Sequence, residues 1–274
     1  MMHVDLTTDH HVHTRLCNHA SGELEEYVLA AIDKKLSTLI FLEHLEADIS
    51  YFERTWLTEK DFDYYFKEGS RLKEKYAGRI TIKLGVEVGF NPLAVEKIRS
   101  SISAYPFEYT GLSYHFYDNG TQHLNMVSRR PENMTALSTI GTDEVISEYL
   151  AALIQGVQLL DCNLLCHLDA AMRHQPGIRF EQSHWKQIDQ LLALVRAKEM
   201  SLEVNTSGYP IRNEPYPGLP ILHKAVDLGI QLAAGSDAHR PDQVGRHFDR
   251  LPGLFSLLGK PVHPDPPDNI KPST

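Results

Sequence analysis

The sequence has few cysteines and no long apolar segment. Its three cysteines, Cys17, Cys162 and Cys166, are too few for the disulfide framework of a small secreted protein. Residues 1 to 5 turn polar at once and lack the basic and apolar regions of a signal peptide. No segment approaches the roughly 20 apolar residues of a membrane span. We therefore expect a cytoplasmic protein with reduced thiols and no membrane partner.

Positively charged residues are also fewer than negatively charged ones. The chain has 27 Lys and Arg against 36 Asp and Glu, a formal net charge of -9 with histidine neutral. Such a charge repels nucleic acid, which makes that partner a poor hypothesis. It would also repel a phosphate ester, unless bound cations reverse the sign locally. The 15 histidines supply candidate ligands for such cations.

Short apolar runs alternate with longer stretches of helical periodicity, which is typical of repeated βα units around a parallel sheet. Seven units can be counted, and their strands are predicted to end near Asp9, Leu42, Val86, Tyr114, Cys166, Val204 and Ala234. Such a pattern at this length favours one α/β barrel domain, residues 1–259. Residues 260–274 are too rich in proline for regular structure, and we expect an irregular tail there.

Three helices of the scaffold carry recognisable signals. One is predicted to begin near Thr58, because Asp61 follows three residues later as in a capping box. Two others are predicted from apolar periodicity at about residues 143–158 and 184–198.

Residue types that bind metals follow nearly every predicted strand. Since a barrel places its active-site loops at the carboxyl ends of its strands, these residues are expected to converge there. A lone histidine at such a position is more often structural, but recurrence in successive units favours a shared site. The candidate ligands are His11, His13, His19, His44, Glu87, His115, His167, Asp237 and His239.

Spacing and charge support a multinuclear site. In an extended segment His11 and His13 point to the same side, and the same geometry is expected of Asp237 and His239. Burying Glu87 and Asp237 would be costly without cations between them. The candidates exceed what one zinc ion needs, so two or three divalent ions are predicted, with zinc, manganese and iron all suitable.

Six motifs together resemble those of the PHP (polymerase and histidinol phosphatase) family. They are Asp9-x-His11-x-His13, Glu43-His44, Glu87 after a glycine, Ser113-x-His115, His167-x-Asp169 and Ser236-Asp237-x-His239. The resemblance covers roughly residues 5 to 250. It implies a distorted (β/α)7 barrel, similar to a TIM barrel, with a trinuclear metal site at the carboxyl ends of the strands.

The resemblance also implies how the ligands are divided. One metal would be bound by His11, His13, Glu87 and Asp237. Glu87 would bridge to a second metal, which His115 and His167 also bind. A third would be bound by His19, His44 and His239. Cys17, which lies inside the first motif, is left open as either a buried thiol or a participant.

Three further segments resemble the histidinol-phosphate phosphatase branch of this family: Cys17-x-His19, residues 203–208 and residues 236–239. This implies a small-molecule substrate, L-histidinol phosphate, hydrolysed through a metal-bridging hydroxide in histidine biosynthesis. Arg173 and Arg212 occupy places comparable to the branch's phosphate-binding arginines, and Asn205 is a further candidate for substrate binding. Asp237 or His239 is the candidate proton donor to the leaving group.

Two alternatives from other classes remain at this stage. One is a phosphoesterase acting on nucleotides or nucleic-acid ends, against which the absence of a basic stripe argues. The other is a metal-binding module without turnover, which the complete set of ligand types disfavours. The sequence predicts no particular oligomeric state.

Overall fold

The computed structural model describes residues 5–171, 173–174 and 179–259, so the predicted tail at 260–274 lies outside the described residues. Seven parallel strands form one sheet in the order β1-β2-β3-β4-β7-β8-β9. Their bounds are β1 Thr8–Val12, β2 Thr38–Glu46, β3 Thr81–Gly89, β4 Thr110–Ser113, β7 Leu164–Leu165, β8 Ser201–Asn205 and β9 Leu232–Gly235. An antiparallel hairpin, β5 (Phe116–Asp118) and β6 (His123–Asn125), follows β4 and was not predicted.

Helices connect the strands of the sheet. They are α1 Leu24–Asp33, α2 Glu59–Lys75, α3 Val95–Ser103, α4 Pro131–Ile140, α5 Thr142–Leu159, α6 Gln182–Ala197, α7 Tyr209–Arg212, α8 Leu219–Asp227 and α9 Leu251–Leu258. Within the described part of the chain, no helix has the length and apolar character needed to span a membrane.

The two edges of the sheet meet, so that the sheet curls into a nearly closed barrel. Val12 at the end of β1 forms a parallel bridge with Ala238, just beyond β9. The His13 amide donates to the Ala238 carbonyl at 2.9 Å. The predicted α/β barrel of seven strands is therefore confirmed, with β7, of two residues, as its shortest strand.

The strand ends differ from the prediction in one half of the barrel. The last four strands end within one residue of the predicted positions. The first three extend further, to Val12, Glu46 and Gly89. The β2–β3 ladder continues through His44 paired with Glu87, because both are buried at the barrel mouth and keep the extended backbone. Polar residues that suggested a loop therefore belong to the strands.

Alternation along the strands divides the barrel interior into two layers. A small apolar cluster comes from β2, β9 and the region of β7, which are not neighbours in the sheet and so meet only inside the barrel; it contains Ile40, Leu42, Leu164, Cys166 and Ala233. His44 and Glu46 continue the inward face of β2 beyond Leu42. The interior is thus apolar below and polar at the carboxyl ends of the strands.

The helix signals in the sequence are also confirmed. Helix α2 begins directly after Thr58, whose side chain accepts from the Asp61 amide at 3.3 Å. The Asp61 carboxylate accepts in return from the Thr58 amide at 2.8 Å. This reciprocal capping box satisfies two amides that the first helical turn would otherwise leave unpaired.

Replacing Thr58 with alanine should lower the free energy of unfolding by about 1 kcal/mol, because one of these two bonds is lost. Ser70→Ala is the matched control, since this serine is exposed within the same helix and alanine is the better helix former. Urea denaturation of both variants measures the difference. Equal stability of the two variants would contradict the role of the cap.

Candidate metal centre

A cavity of about 540 Å³ opens at the carboxyl ends of the strands. Seven of the nine predicted ligands line it: His19, His44, Glu87, His115, His167, Asp237 and His239. The other two, His11 and His13, are fully buried beneath its floor. All nine candidates therefore converge on one region, as the sequence predicted.

Glu87 lies at the centre of this cluster and is fully buried. Its Oε1 is 2.8 Å from His167 Nε2 and 3.3 Å from His115 Nε2. Its Oε2 is 3.5 Å from His11 Nε2 and 3.6 Å from His13 Nε2. The two oxygens of one carboxylate thus face two separate pairs of imidazoles, which is the arrangement of a bridging ligand.

Asp237 connects the first imidazole pair to the rim of the cavity. Its Oδ1 is 3.4 Å from His13 Nε2 and 3.5 Å from His239 Nδ1. Its Oδ2 accepts a hydrogen bond from Ser207 Oγ at 3.3 Å and is 3.9 Å from Arg173 Nη1. One oxygen is therefore directed to the histidines and the other to the side from which a substrate would enter.

Two of the candidates have left-handed backbones, although neither is glycine. The φ angle is 50° at Asp237 and 22° at His167. Such conformations cost on the order of 1–3 kcal/mol and persist only where the surroundings hold them. At Asp237 the expected extended geometry is therefore replaced by a turn, which still brings Asp237 and His239 together.

His19 and His239 face each other with their Nε2 atoms 2.9 Å apart. Their Nδ1 atoms lie 3.0 and 3.1 Å from the carbonyls of Cys17 and Asp237, which can only accept, so each Nδ1 carries the proton. Burial lowers the pKa of His239 to about 4. Two lone pairs therefore point at each other near neutral pH, and a shared cation removes the repulsion.

His44 lies between these groups. Its ring stacks on that of His13 with centroids 4.1 Å apart, and its Nδ1 is 2.9 Å from Glu87 Oε2. Its Nε2 is buried without a hydrogen-bond partner, as is His167 Nδ1. Burial lowers the pKa of His44 to about 4, so at neutral pH the ring is uncharged and one of its nitrogens is free to bind a metal.

The charges of the cluster favour cations. Burial opposes ionisation of Glu87, but the surrounding imidazoles, His115 first, hold its pKa well below the ordinary range. Burial likewise opposes protonation of His115, yet Glu87 and Glu46 raise its pKa to about 10. Glu87 therefore remains ionised and attracts positive charge strongly, which suits the histidine and carboxylate donor set of a divalent ion.

Two further carboxylates orient candidate ligand histidines and were not predicted as site residues. Glu203 Oε1 accepts from His11 Nδ1 at 2.7 Å, and Glu46 Oε1 accepts from His115 Nδ1 at 2.8 Å. Each bond holds a proton on Nδ1 and directs Nε2 into the cluster, where it would bind a metal after giving up any proton of its own. The sequence did contain a signal for both acids. They occupy strand positions that alternate with outward-facing residues, so their side chains are expected to point into the barrel.

Both positioning carboxylates lie over glycines of the adjacent strand. A Cβ on Gly235 would overlap Glu203, and a Cβ on Gly89 would overlap Glu46. Glycine at these two positions provides the space in which the carboxylates reach their histidines.

The predicted substrate-binding arginines occupy different surroundings. Arg173 lines the cavity next to Asp237. Arg212 donates to Asp169 at 2.9 Å and stacks over the Tyr216 ring at 4.0 Å, and it is not among the residues that line the described cavity. The geometry therefore favours Arg173 over Arg212 as a phosphate-binding residue.

Asn205 has both ends of its amide engaged within the protein. Its Oδ1 accepts from the Ser207 amide at 3.0 Å, and its Nδ2 donates to Glu203 Oε2 at 3.2 Å. It thus supports residues that belong to the site and does not itself line the described cavity.

Arg246 was not predicted, although it lines the cavity. Its Nε donates to the Ser236 carbonyl at 2.8 Å and its Nη2 to the Asp237 carbonyl at 3.0 Å. These bonds brace the turn that presents Asp237 and His239. No spacing in the sequence indicated this contact, because the acceptors are backbone carbonyls, which every residue carries.

Cys17, left open by the sequence, lies beside the third group of candidates. Its sulfur and the ligand nitrogens of His19, His44 and His239 are all within 4.8 Å of one another. Burial raises the pKa of its thiol above the ordinary range. Since metals bind the thiolate, the three imidazoles are the stronger donors here.

A β/α barrel with imidazoles and carboxylates clustered at the carboxyl ends of its strands is the architecture of a metal-dependent enzyme. The PHP domain family model matches residues 9–207. The chain belongs to this family.

Two relatives that match nearly the whole chain are both named as histidinol-phosphatases. A protein of Deinococcus radiodurans named "Probable histidinol-phosphatase" is 28% identical over 93% of this chain and 95% of its own length. The Bacillus subtilis histidinol-phosphatase is 25% identical over 88% of this chain and 96% of its own.

Two solved structures share the fold. One, from Listeria monocytogenes, has a TM-score of 0.81 at 24% identity and covers 89% of this chain and 99% of its own. Another is the histidinol phosphate phosphatase of Lactococcus lactis, described as a complex with zinc, L-histidinol and phosphate. Its TM-score is 0.70 at 22% identity, covering 92% of this chain and 93% of its own.

Replacing Glu203 with glutamine should weaken metal binding about tenfold or more, because His11 loses the acceptor that orients it. Glu74→Gln, an exposed change on α2, is the matched control. Metal retained after dialysis against a graded series of chelator concentrations, measured by elemental analysis, gives the comparison. Equal retention by the two variants would show that Glu203 does not support the ligand.

Proposed function

We propose that this protein is a histidinol-phosphatase, which hydrolyses L-histidinol phosphate to L-histidinol and phosphate in histidine biosynthesis. The proposal is supported by the shared description of its full-length relatives. The observation that carries it is the cluster of imidazoles around Glu87 at the floor of an open cavity. Such a site combines buried metal ligands with room for a small phosphate ester.

The ligands divide into three groups. His11, His13 and Asp237 would share one divalent ion with Glu87 Oε2, and His115 and His167 would bind another with Glu87 Oε1. His19, His44 and His239 would bind a third. Zinc is favoured, since the Lactococcus lactis protein is described with zinc and imidazole-rich sites suit it. When bound, such ions lower the pKa of water toward neutrality and neutralise charge on phosphoryl oxygens.

The chain's own groups would then bind the phosphate and handle the leaving-group proton. Arg173 supplies a guanidinium fork at the cavity beside Asp237, suited to two phosphoryl oxygens. His239 directs one nitrogen to the Asp237 carbonyl and the other to His19. Asp237 Oδ2 instead lies next to the Ser207 hydroxyl on the cavity side, so this carboxylate is better placed to accept the proton that the attacking water loses and to pass it, through a second water, to the leaving oxygen.

The metal-loaded protein should hydrolyse L-histidinol phosphate with a kcat/KM well above those for sugar phosphates and nucleotides, and a chelator should abolish the activity. His11→Ala should lose bound metal and turnover, because its imidazole belongs to the buried pair below Glu87. His223→Ala, outside the cluster, is the control. Phosphate release across the panel is the measurement, and equal turnover of all phosphomonoesters would contradict the substrate assignment.

Arg173→Gln should reduce kcat/KM by about 100-fold, because a donor to the phosphoryl oxygens is lost where charge develops in the transition state. Arg79→Gln, exposed and remote from the cavity, is the control. Arg212→Gln should act less strongly than Arg173→Gln in the same steady-state assay. The reverse order would reassign the phosphate contact to Arg212.

A further inference from the structure

We propose that Glu53 binds the ammonium group of the substrate and thereby selects an aminated phosphate ester. This inference rests on the proposed function, and it concerns a residue that lines the cavity but is not one of the candidate metal ligands. L-histidinol phosphate carries a negative phosphate, a positive amine and an imidazole. A site for it must therefore offer a negative charge at some distance from the groups that bind the phosphate.

The described walls of the cavity are rich in positive charge. They include the guanidinium groups of Arg129, Arg130, Arg173 and Arg246. Three carboxylates also line the cavity, and two of them, Glu87 and Asp237, are surrounded by the clustered imidazoles. Glu53 is the remaining carboxylate among these lining residues. Without it, the rim would attract a phosphate but repel an ammonium group.

Glu53 lies in the segment between β2 and α2, together with Tyr51. The Tyr51 ring is 5.2 Å from the Phe116 ring, and both residues line the cavity. The Tyr51 hydroxyl accepts from Asn133 Nδ2 at 2.7 Å, which fixes the position of the ring. The cavity that Glu53 lines thus also has an aromatic wall against which a flat imidazole can pack.

The present partner of Glu53 is readily exchanged. Glu53 Oε2 forms an ion pair with Arg130 Nη2 at 2.6 Å, with side chains 42% and 48% exposed. Such exposed pairs contribute little net stability. A carboxylate also has two oxygens and can accept from two cations at once. A substrate ammonium can therefore join or replace Arg130 without leaving a buried charge unpaired.

The test compares two substrates: L-histidinol phosphate and its deaminated analogue, in which hydrogen replaces the amino group. Glu53→Gln should raise KM for the aminated substrate about tenfold, with kcat within about twofold, because it removes the ammonium's partner. It should leave kcat/KM for the analogue within about twofold. Calorimetric titration should likewise show weaker binding of L-histidinol and unchanged binding of inorganic phosphate.

Glu132→Gln is the matched control. Glu132 is an exposed acid whose charge also attracts Arg130, but it is not among the residues that line the described cavity. It should change neither substrate's kinetics. Arg130→Gln should keep the preference for the aminated substrate, because Glu53 remains. Equal loss on both substrates in Glu53→Gln, or the same selectivity change in Glu132→Gln, would overturn the inference.

Failure of the proposed function has a different signature. In that case the wild-type, metal-loaded protein would not turn over L-histidinol phosphate at all, and the inference would fall with it. Wild-type turnover combined with an unselective Glu53→Gln variant would reject the role of Glu53 alone. Unchanged metal content and thermal unfolding of this variant exclude a general loss of structure as the cause.

Discussion

The contact on which the site depends is the one between Glu87 and the imidazoles around it. A fully buried carboxylate is costly unless positive charge surrounds it. Here its two oxygens face separate histidine pairs contributed by β1 and by the segments that follow β1, β4 and β7. Because those strands belong to different parts of the sheet, only the curled barrel brings them to one carboxylate. The site therefore forms only when the barrel closes, and the closed barrel is what surrounds the charge of Glu87 with imidazoles.

The barrel provides this arrangement through the simple alternation of its strands. Apolar side chains fill the lower interior, and the same inward face becomes histidine and carboxylate toward the carboxyl ends. Glu46 and Glu203 then hold His115 and His11 from behind, each in space left by a glycine. Each supporting carboxylate thus comes from a different strand than the histidine it holds: Glu46 of β2 holds His115, which follows β4, and Glu203 of β8 holds His11 of β1.

Much of this could be read from the sequence, because ligand types recurred once per βα unit. The seven strands and the convergence of the nine candidates followed from that recurrence. The extended ends of β1 to β3 did not, because polar residues in a strand look like a loop until a buried partner is known. Glu53 was missed because its partner, Arg130, lies on a distant segment. Arg246 was missed because its partners are backbone carbonyls, which any residue carries and no sequence pattern marks. Arg212 had a plausible place in the chain, but Asp169 and Tyr216 engage it.

The left-handed backbones of His167 and Asp237 carry a consequence for how such a protein can change over time. Glycine would fit both φ angles with less strain, so exchange at either position would relax the chain while deleting a side chain from the cluster. Selection for thermal stability therefore favours glycine at these two positions, whereas selection for catalysis favours the histidine and the aspartate. A barrel of this kind that lost its catalytic duty would be expected to drift toward glycine there first.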